Sequence, residues 1–133
     1  GEVYDIKRAP IPRFDLFDIE KYNRLTVQTS RGCPLDCEFC AASKIFGRYR
    51  IKPVEQVMAE IDAILDIWRD PFIEFADDNT FVHKKWSKDF LRQLRERDVR
   101  WFTETDVSRG VRLYAVSKRI YVEMLMDAVA RPL

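Results

Sequence analysis

Residues 25 to 40 read Leu25-Thr26-Val27-Gln28-Thr29-Ser30-Arg31-Gly32-Cys33-Pro34-Leu35-Asp36-Cys37-Glu38-Phe39-Cys40, and they hold all three cysteines of a 133-residue chain. Leu25 and Val27 alternate with Thr26 and Gln28 among frequent β-branched residues, which predicts a strand over Arg24 to Ser30. Gly32 and Pro34 break any regular continuation, so the cysteines fall in a loop directly after that strand. An odd, bunched set is no disulfide framework. Side chains spaced x3 then x2 converge only where the backbone curls around a common point, and thiolates brought so close repel unless a metal lies among them. The expected compartment is reducing, and cytoplasmic. Three unrelated cysteines acting as small apolar residues would not explain why the rest of the chain has none.

The ligand count bears on which metal. Structural zinc wants four Cys or His ligands, usually in two close pairs, and the chain has a single histidine, His83, far downstream. A Cys3His zinc module therefore fits poorly. An iron-sulfur cube usually takes four cysteines, and with three its fourth iron is open to a small ligand or substrate. An electron carrier would close that shell, so an electron-transfer or binding module would need its fourth ligand from a partner.

Working outward, residues 1 to 22 carry Pro10, Pro12 and the run Phe14-Asp15-Leu16-Phe17-Asp18 without sustained periodicity, and read as a linker or packing arm. Downstream of the loop, Arg48 and Arg50 either solvate it or pair with carboxylates. Val54, Val57, Met58, Ile61, Ile64, Leu65 and Trp68 lie on one helical stripe, opened by Pro53 and Glu55 and stopped by Pro71. Phe72 to Ala76 predicts a short buried strand. The polar Asp77-Asp78-Asn79-Thr80 follows, a sequence that local side-chain hydrogen bonds also favour as a plain turn. Trp86, Phe90, Leu91 and Leu94 mark a second amphipathic helix, and Val99 to Glu104 a third strand. Trp68, Trp86 and Trp101 read as packing residues, and His83 as a surface or helix-entry residue.

Strand, helix, strand, helix, strand argues an α/β fold with parallel strands joined by crossover helices. In such folds the chemistry collects at the carboxyl ends of the strands. Those ends carry the cysteine loop, then Asp77-Asp78-Asn79, then Glu104-Thr105-Asp106. A full (β/α)8 barrel takes about 250 residues, so about three strands make at most a partial (β/α) barrel. The 23 Lys plus Arg balance 22 Asp plus Glu to a net charge of +1, which gives no electrostatic case for nucleic acid as a partner. With 47% apolar residues the chain can build a core, and no apolar run reaches the roughly 18 to 20 residues of a membrane span. It begins with Gly and shows no basic-then-apolar leader, as expected of a cut or processed end.

Cys33-x3-Cys37-x2-Cys40, with aromatic Phe39 before the last cysteine and a first strand before the loop, resembles the radical S-adenosylmethionine (SAM) enzymes. The wider text, Gln28 to Pro34, Arg48-Tyr49-Arg50 before Pro53-Val54-Glu55, and Phe75-Ala76-Asp77-Asp78-Asn79, resembles the branch whose members often carry a cobalamin-binding domain ahead of the barrel. The resemblance implies a 4Fe-4S cluster with Cys33, Cys37 and Cys40 each on one iron, and S-adenosylmethionine on the fourth. It implies Phe39 near the adenine. Asp77 or Asp78 matches the place where the family receives the methionine amino group, although the usual Gly-Gly-Glu wording is absent. Glu104 is a further candidate contact, or an ordinary strand-end residue.

The implied activity is reductive cleavage of S-adenosylmethionine to a 5'-deoxyadenosyl radical that takes hydrogen from a small organic substrate. An electron donor such as a flavodoxin or ferredoxin is the implied partner, with cobalamin a possible cofactor of the full-length protein. On this resemblance residues 23–108 are the N-terminal half of the radical SAM domain. The likeness fades after Ser108, and residues 109–133 form a divergent segment with Ile120, Met124, Leu125 and Ala128 at helical spacing.

Overall fold

The computed structural model describes residues 4 to 35 and 37 to 105; the expected C-terminal helix lies outside them. Three parallel strands make the main sheet: β1 (Leu25–Val27), β4 (Phe72–Phe75) and β5 (Arg100–Thr103), with β4 in the middle. Val27 aligns with Phe75 and Phe75 with Thr103, so the three strands end level and their carboxyl termini form one rim. Two twelve-residue helices, α2 (Val54–Leu65) and α3 (Lys84–Arg95), make the crossovers. The order expected from periodicity is therefore present, as a parallel three-stranded sheet with helices.

The alternation of the strands explains which face is covered. Leu25, Val27, Ile73, Phe75, Trp101 and Thr103 are buried on the helical side, where they meet Val57, Ile61 and Ile64 of α2 and Phe90, Leu91 and Leu94 of α3. Full burial of an aliphatic or aromatic side chain of this size contributes about 1.5 to 3 kcal/mol, so this layer dominates the stability of the fold. Trp101 lies in the core, while Trp68 and Trp86 pack at its edge. Trp86 stacks on Phe90 at 4.9 Å and donates its indole N–H to the Lys52 carbonyl at 2.8 Å.

The opposite face is half open. Glu74 and Phe102 are only partly covered there, Arg24 pairs with Glu74 at 2.7 Å, and the Arg100 guanidinium lies over the Phe72 ring.

The first strand is shorter than its sequence predicts. It pairs with β4 only through Val27, because the N–H groups of Thr29 and Ser30 both donate to the Asp77 carboxylate instead of to a neighbouring strand. The chain then turns into β2 (Ser30–Arg31), which pairs antiparallel with β3 (Arg50–Ile51). This two-residue ladder ties together the two ends of the cysteine loop, and the short helix α1 (Ala42–Phe46) lies within it. Pro53 sits one residue outside α2, as its cap, rather than in its first turn.

Two features brace this junction. Lys52 and Glu60 form a buried ion pair at 2.6 Å, and Gln56 donates to the Ala9 carbonyl at 2.9 Å. The N-terminal arm is thus packed on the fold, with Ile6 and Phe14 buried from two of its 3-10 turns, Ile6–Arg8 and Phe14–Leu16.

Gly32 opens the cysteine loop with φ of +77°, and a Cβ there would stand 3.1 Å from the Gly47 carbonyl oxygen. A left-handed backbone costs an L-residue about 1 to 2 kcal/mol. Gly32→Ala is therefore expected to lower the urea midpoint by that amount of stability with an unchanged slope, and an unaltered midpoint would show that the loop relaxes around the new methyl.

Candidate functional site

The rim at the carboxyl ends of the sheet gathers the three polar clusters that the sequence places there. Cys33, Cys37 and Cys40 are free thiols, each half-buried, on the loop between β2 and α1. Cys40 N–H donates to the Cys37 carbonyl at 3.1 Å, a turn that brings the second and third cysteines to neighbouring positions. Among the described residues, no three His, Cys, Asp or Glu side chains are gathered into a metal-binding group. The ladder fixes the ends of the segment that carries the three thiols and leaves them half-exposed.

Asp77 is 6% exposed and turned into the fold. Its Oδ1 accepts from the backbone N–H of Thr29 and of Ser30, each at 2.8 Å. Its Oδ2 accepts from Thr29 Oγ1 at 2.6 Å and Thr80 Oγ1 at 2.9 Å, and Thr80 Oγ1 in turn meets Thr103 Oγ1. Burial pushes the carboxyl up from its ordinary value, while hydrogen bonds from Thr29, Ser30 and Thr80 hold it back. A carboxylate with four internal donors has little acceptor capacity left for a ligand. Asp77 joins the end of β4 to the end of β1.

Asp78 and Glu104 are exposed, and with Asp77, Gln28, Arg31 and Phe46 they line a cleft of about 300 Å³ on the open side of the sheet. That volume stands at the lower end of small-molecule pockets. Arg31 donates to Gln28 Oε1 at 3.0 Å, which holds a cation beside the two acids. Phe39 is 93% exposed. His83 is exposed and caps α3, its Nδ1 accepting from the Trp86 N–H at 3.3 Å, as a helix-entry residue does.

Thr29, Ser30, Tyr49 and Asn79 have no role that their sequence context reveals. Arg31 Nε is buried without a hydrogen-bond partner among the described residues at the base of the cysteine loop, where Ser30 Oγ and the Tyr49 hydroxyl are buried close to each other. Burial also pushes the Tyr49 phenol up, and a hydrogen bond with Ser30 pulls it the other way. Asn79 is buried and spans the gap between Cys33 and Thr105. Its signal in the sequence was only its place beside two aspartates at a strand end.

Residues 27–129 match the radical SAM superfamily, a span reaching beyond Ser108. The chain belongs to that superfamily. It is 38% identical over 93 residues to an uncharacterised methyltransferase of Synechocystis sp., covering 68% of this chain and 17% of the relative. It is 30% identical over 125 residues to the hopanoid C-2 methylase of Rhodopseudomonas palustris, covering 93% of this chain and 24% of that protein. The anaerobic magnesium-protoporphyrin IX monomethyl ester cyclase of Rubrivivax gelatinosus is 28% identical over 135 residues, covering 90% and 24%. The chain thus spans no more than about a quarter of the length of these curated relatives.

Membership implies a 4Fe-4S cluster and S-adenosylmethionine, and the residues of this radical SAM chain fit both. Three free thiols on one loop supply the soft donors that such a cluster takes. Among the described residues, Arg31 Nε and the Nε and Nη1 of Arg50 leave polar valence unfilled at its base. Buried polar groups are seldom left so.

Proposed function

We propose that this chain is the N-terminal half of a radical SAM domain, built as a partial (β/α) barrel, in which Cys33, Cys37 and Cys40 hold a 4Fe-4S cluster. The observation that carries the reading is the cysteine loop set at the carboxyl ends of parallel strands, beside a cleft walled by Asp78 and Glu104. When bound and reduced, the cluster supplies the electron that splits the sulfonium carbon-sulfur bond of S-adenosylmethionine into methionine and a 5'-deoxyadenosyl radical. The chain's own residues bind and orient. Asp78 and Glu104 receive the cationic amino group, Arg31 faces the carboxylate, and Phe39 covers the adenine. Asp77, which also lines the cleft, serves as the clamp that sets the loop against the sheet.

The half-open sheet face, with Glu74 and Phe102, is the inner wall of the barrel. The names of the relatives support a small organic substrate that is methylated or cyclised in the whole protein. Cobalamin is a further cofactor there. A flavodoxin or ferredoxin in the cytoplasm supplies the electron. Among the described residues, no helix is long and apolar enough to cross a membrane.

The test is anaerobic reconstitution with iron and sulfide, followed by electron paramagnetic resonance of the reduced chain with and without S-adenosylmethionine. A cubane signal that changes with the cofactor is expected. In the double variant Asp78→Ala, Glu104→Ala, half-saturation of that change should need about tenfold more cofactor, which corresponds to roughly 1.4 kcal/mol. No cluster, or one indifferent to S-adenosylmethionine, overturns the reading.

A further inference from the structure

Asn79 is 2% exposed and stands where three rim segments meet. Its Oδ1 accepts from Thr105 Oγ1 at 2.9 Å, just beyond β5. Its Nδ2 donates toward Cys33 Sγ at 3.9 Å, within reach of the large sulfur atom. The first contact anchors the amide beside the second. A threonine hydroxyl meets either end of an amide, so it is the sulfur that selects the N–H₂ group. The chemistry at the other end agrees, since a metal-bound thiolate has no proton to donate and accepts only.

We propose that Asn79 is a positioning residue for the cluster: its N–H···S hydrogen bond orients Cys33 and raises the cluster's reduction potential, and Thr105 helps to anchor the amide beside the sulfur. The inference rests on the cluster reading above. Reduction adds negative charge to the cluster and its ligand sulfurs. An N–H dipole aimed at one sulfur therefore stabilises the reduced form more than the oxidised form. Burial keeps water from replacing the amide. The same relay joins the end of β5 and the loop after β4 to the first cysteine.

The experiment is a redox titration of this chain, reconstituted with iron and sulfide alone and followed by electron paramagnetic resonance. Asn79→Leu is expected to shift the reduction equilibrium about tenfold toward the oxidised cluster, a fall of about 59 mV for one electron. Thr105→Val should shift it the same way by less, and Thr105→Ser, which keeps the hydroxyl, should hold the parent value. Circular dichroism establishes first that each variant is folded. If Asn79→Leu fails to fold, the contrast between Thr105→Val and Thr105→Ser decides. The parent potential in every loaded variant overturns the inference, and so does loss of loading in folded variants, which would assign the amide to assembly instead. A parent chain that takes up no cluster overturns the underlying cluster reading.

Discussion

Replacing any one of Cys33, Cys37 or Cys40 by serine is expected to abolish formation of a site-differentiated 4Fe-4S cluster. The melting of the iron-free chain should stay close to that of the parent. The two halves of this expectation have separate causes. A serine hydroxyl is a hard and weakly acidic donor that replaces a thiolate poorly on iron, and a cluster with one of its three ligands gone loses both bond and geometry. The fold, however, asks little of these side chains: all three are half-exposed and none belongs to the core. Substitutions away from core, cap or buried network usually change stability by no more than about 0.5 kcal/mol. Iron and sulfide content per chain, with the paramagnetic signal, measures the first half, and thermal or urea melting of the apo chain the second. Unimpaired loading in all three single variants would remove the cysteines from the site.

Asp77→Ala should do the reverse, with stability collapsing first. The change leaves the Thr29 and Ser30 N–H groups and the Thr29 hydroxyl without their acceptor in a buried setting, while Thr80 retains Thr103. Each buried orphan costs about 1 to 3 kcal/mol, and relief of the desolvated carboxylate offsets only part of the sum. A loss of about 3 kcal/mol or more is expected, against a total of roughly 5 to 15 for a domain of ordinary stability.

Asp77→Asn separates the two roles that Asp77 has been offered. Its Oδ1 still accepts from both backbone N–H groups, and the Thr29 and Thr80 hydroxyls turn to accept from the new amide. It should therefore cost only about 1 kcal/mol, and the cluster's response to S-adenosylmethionine should persist. If the asparagine variant is stable and loaded yet blind to the cofactor, Asp77 is a cofactor contact and the clamp reading is wrong.

Much of this molecule was legible because short-range rules sufficed. The stripe through Val57, Ile61 and Ile64 faces the core because 3.6-residue periodicity requires it, and His83 caps α3 as its position before the second stripe implied. The cysteine spacing, with Phe39 and the strand before the loop, carried the family, and the family match over residues 27–129 agrees. Glu60 was readable in principle: it lies three residues after Val57 and four before Ile64, on the apolar stripe, where a carboxylate needs the buried partner it finds in Lys52.

The roles of Asp77, Asp78 and Asn79 were not separable that way. Three adjacent polar residues at a strand end look alike in sequence, and which of them turns inward depends on the Thr29 and Ser30 N–H groups, some 47 residues earlier. The split of the first strand has the same origin, since the Asp77 carboxylate takes the donors that a longer ladder would use. What the sequence determined by itself was the order of elements and the chemistry of the loop, because periodicity and ligand type are local properties. Only the tertiary structure decided that Asp77 is a clamp, that Asp78 and Glu104 face the cleft, and that Asn79 joins Thr105 to Cys33, because a hydrogen bond is selected by proximity in space, and proximity at this rim is made by parallel strands distant in the chain.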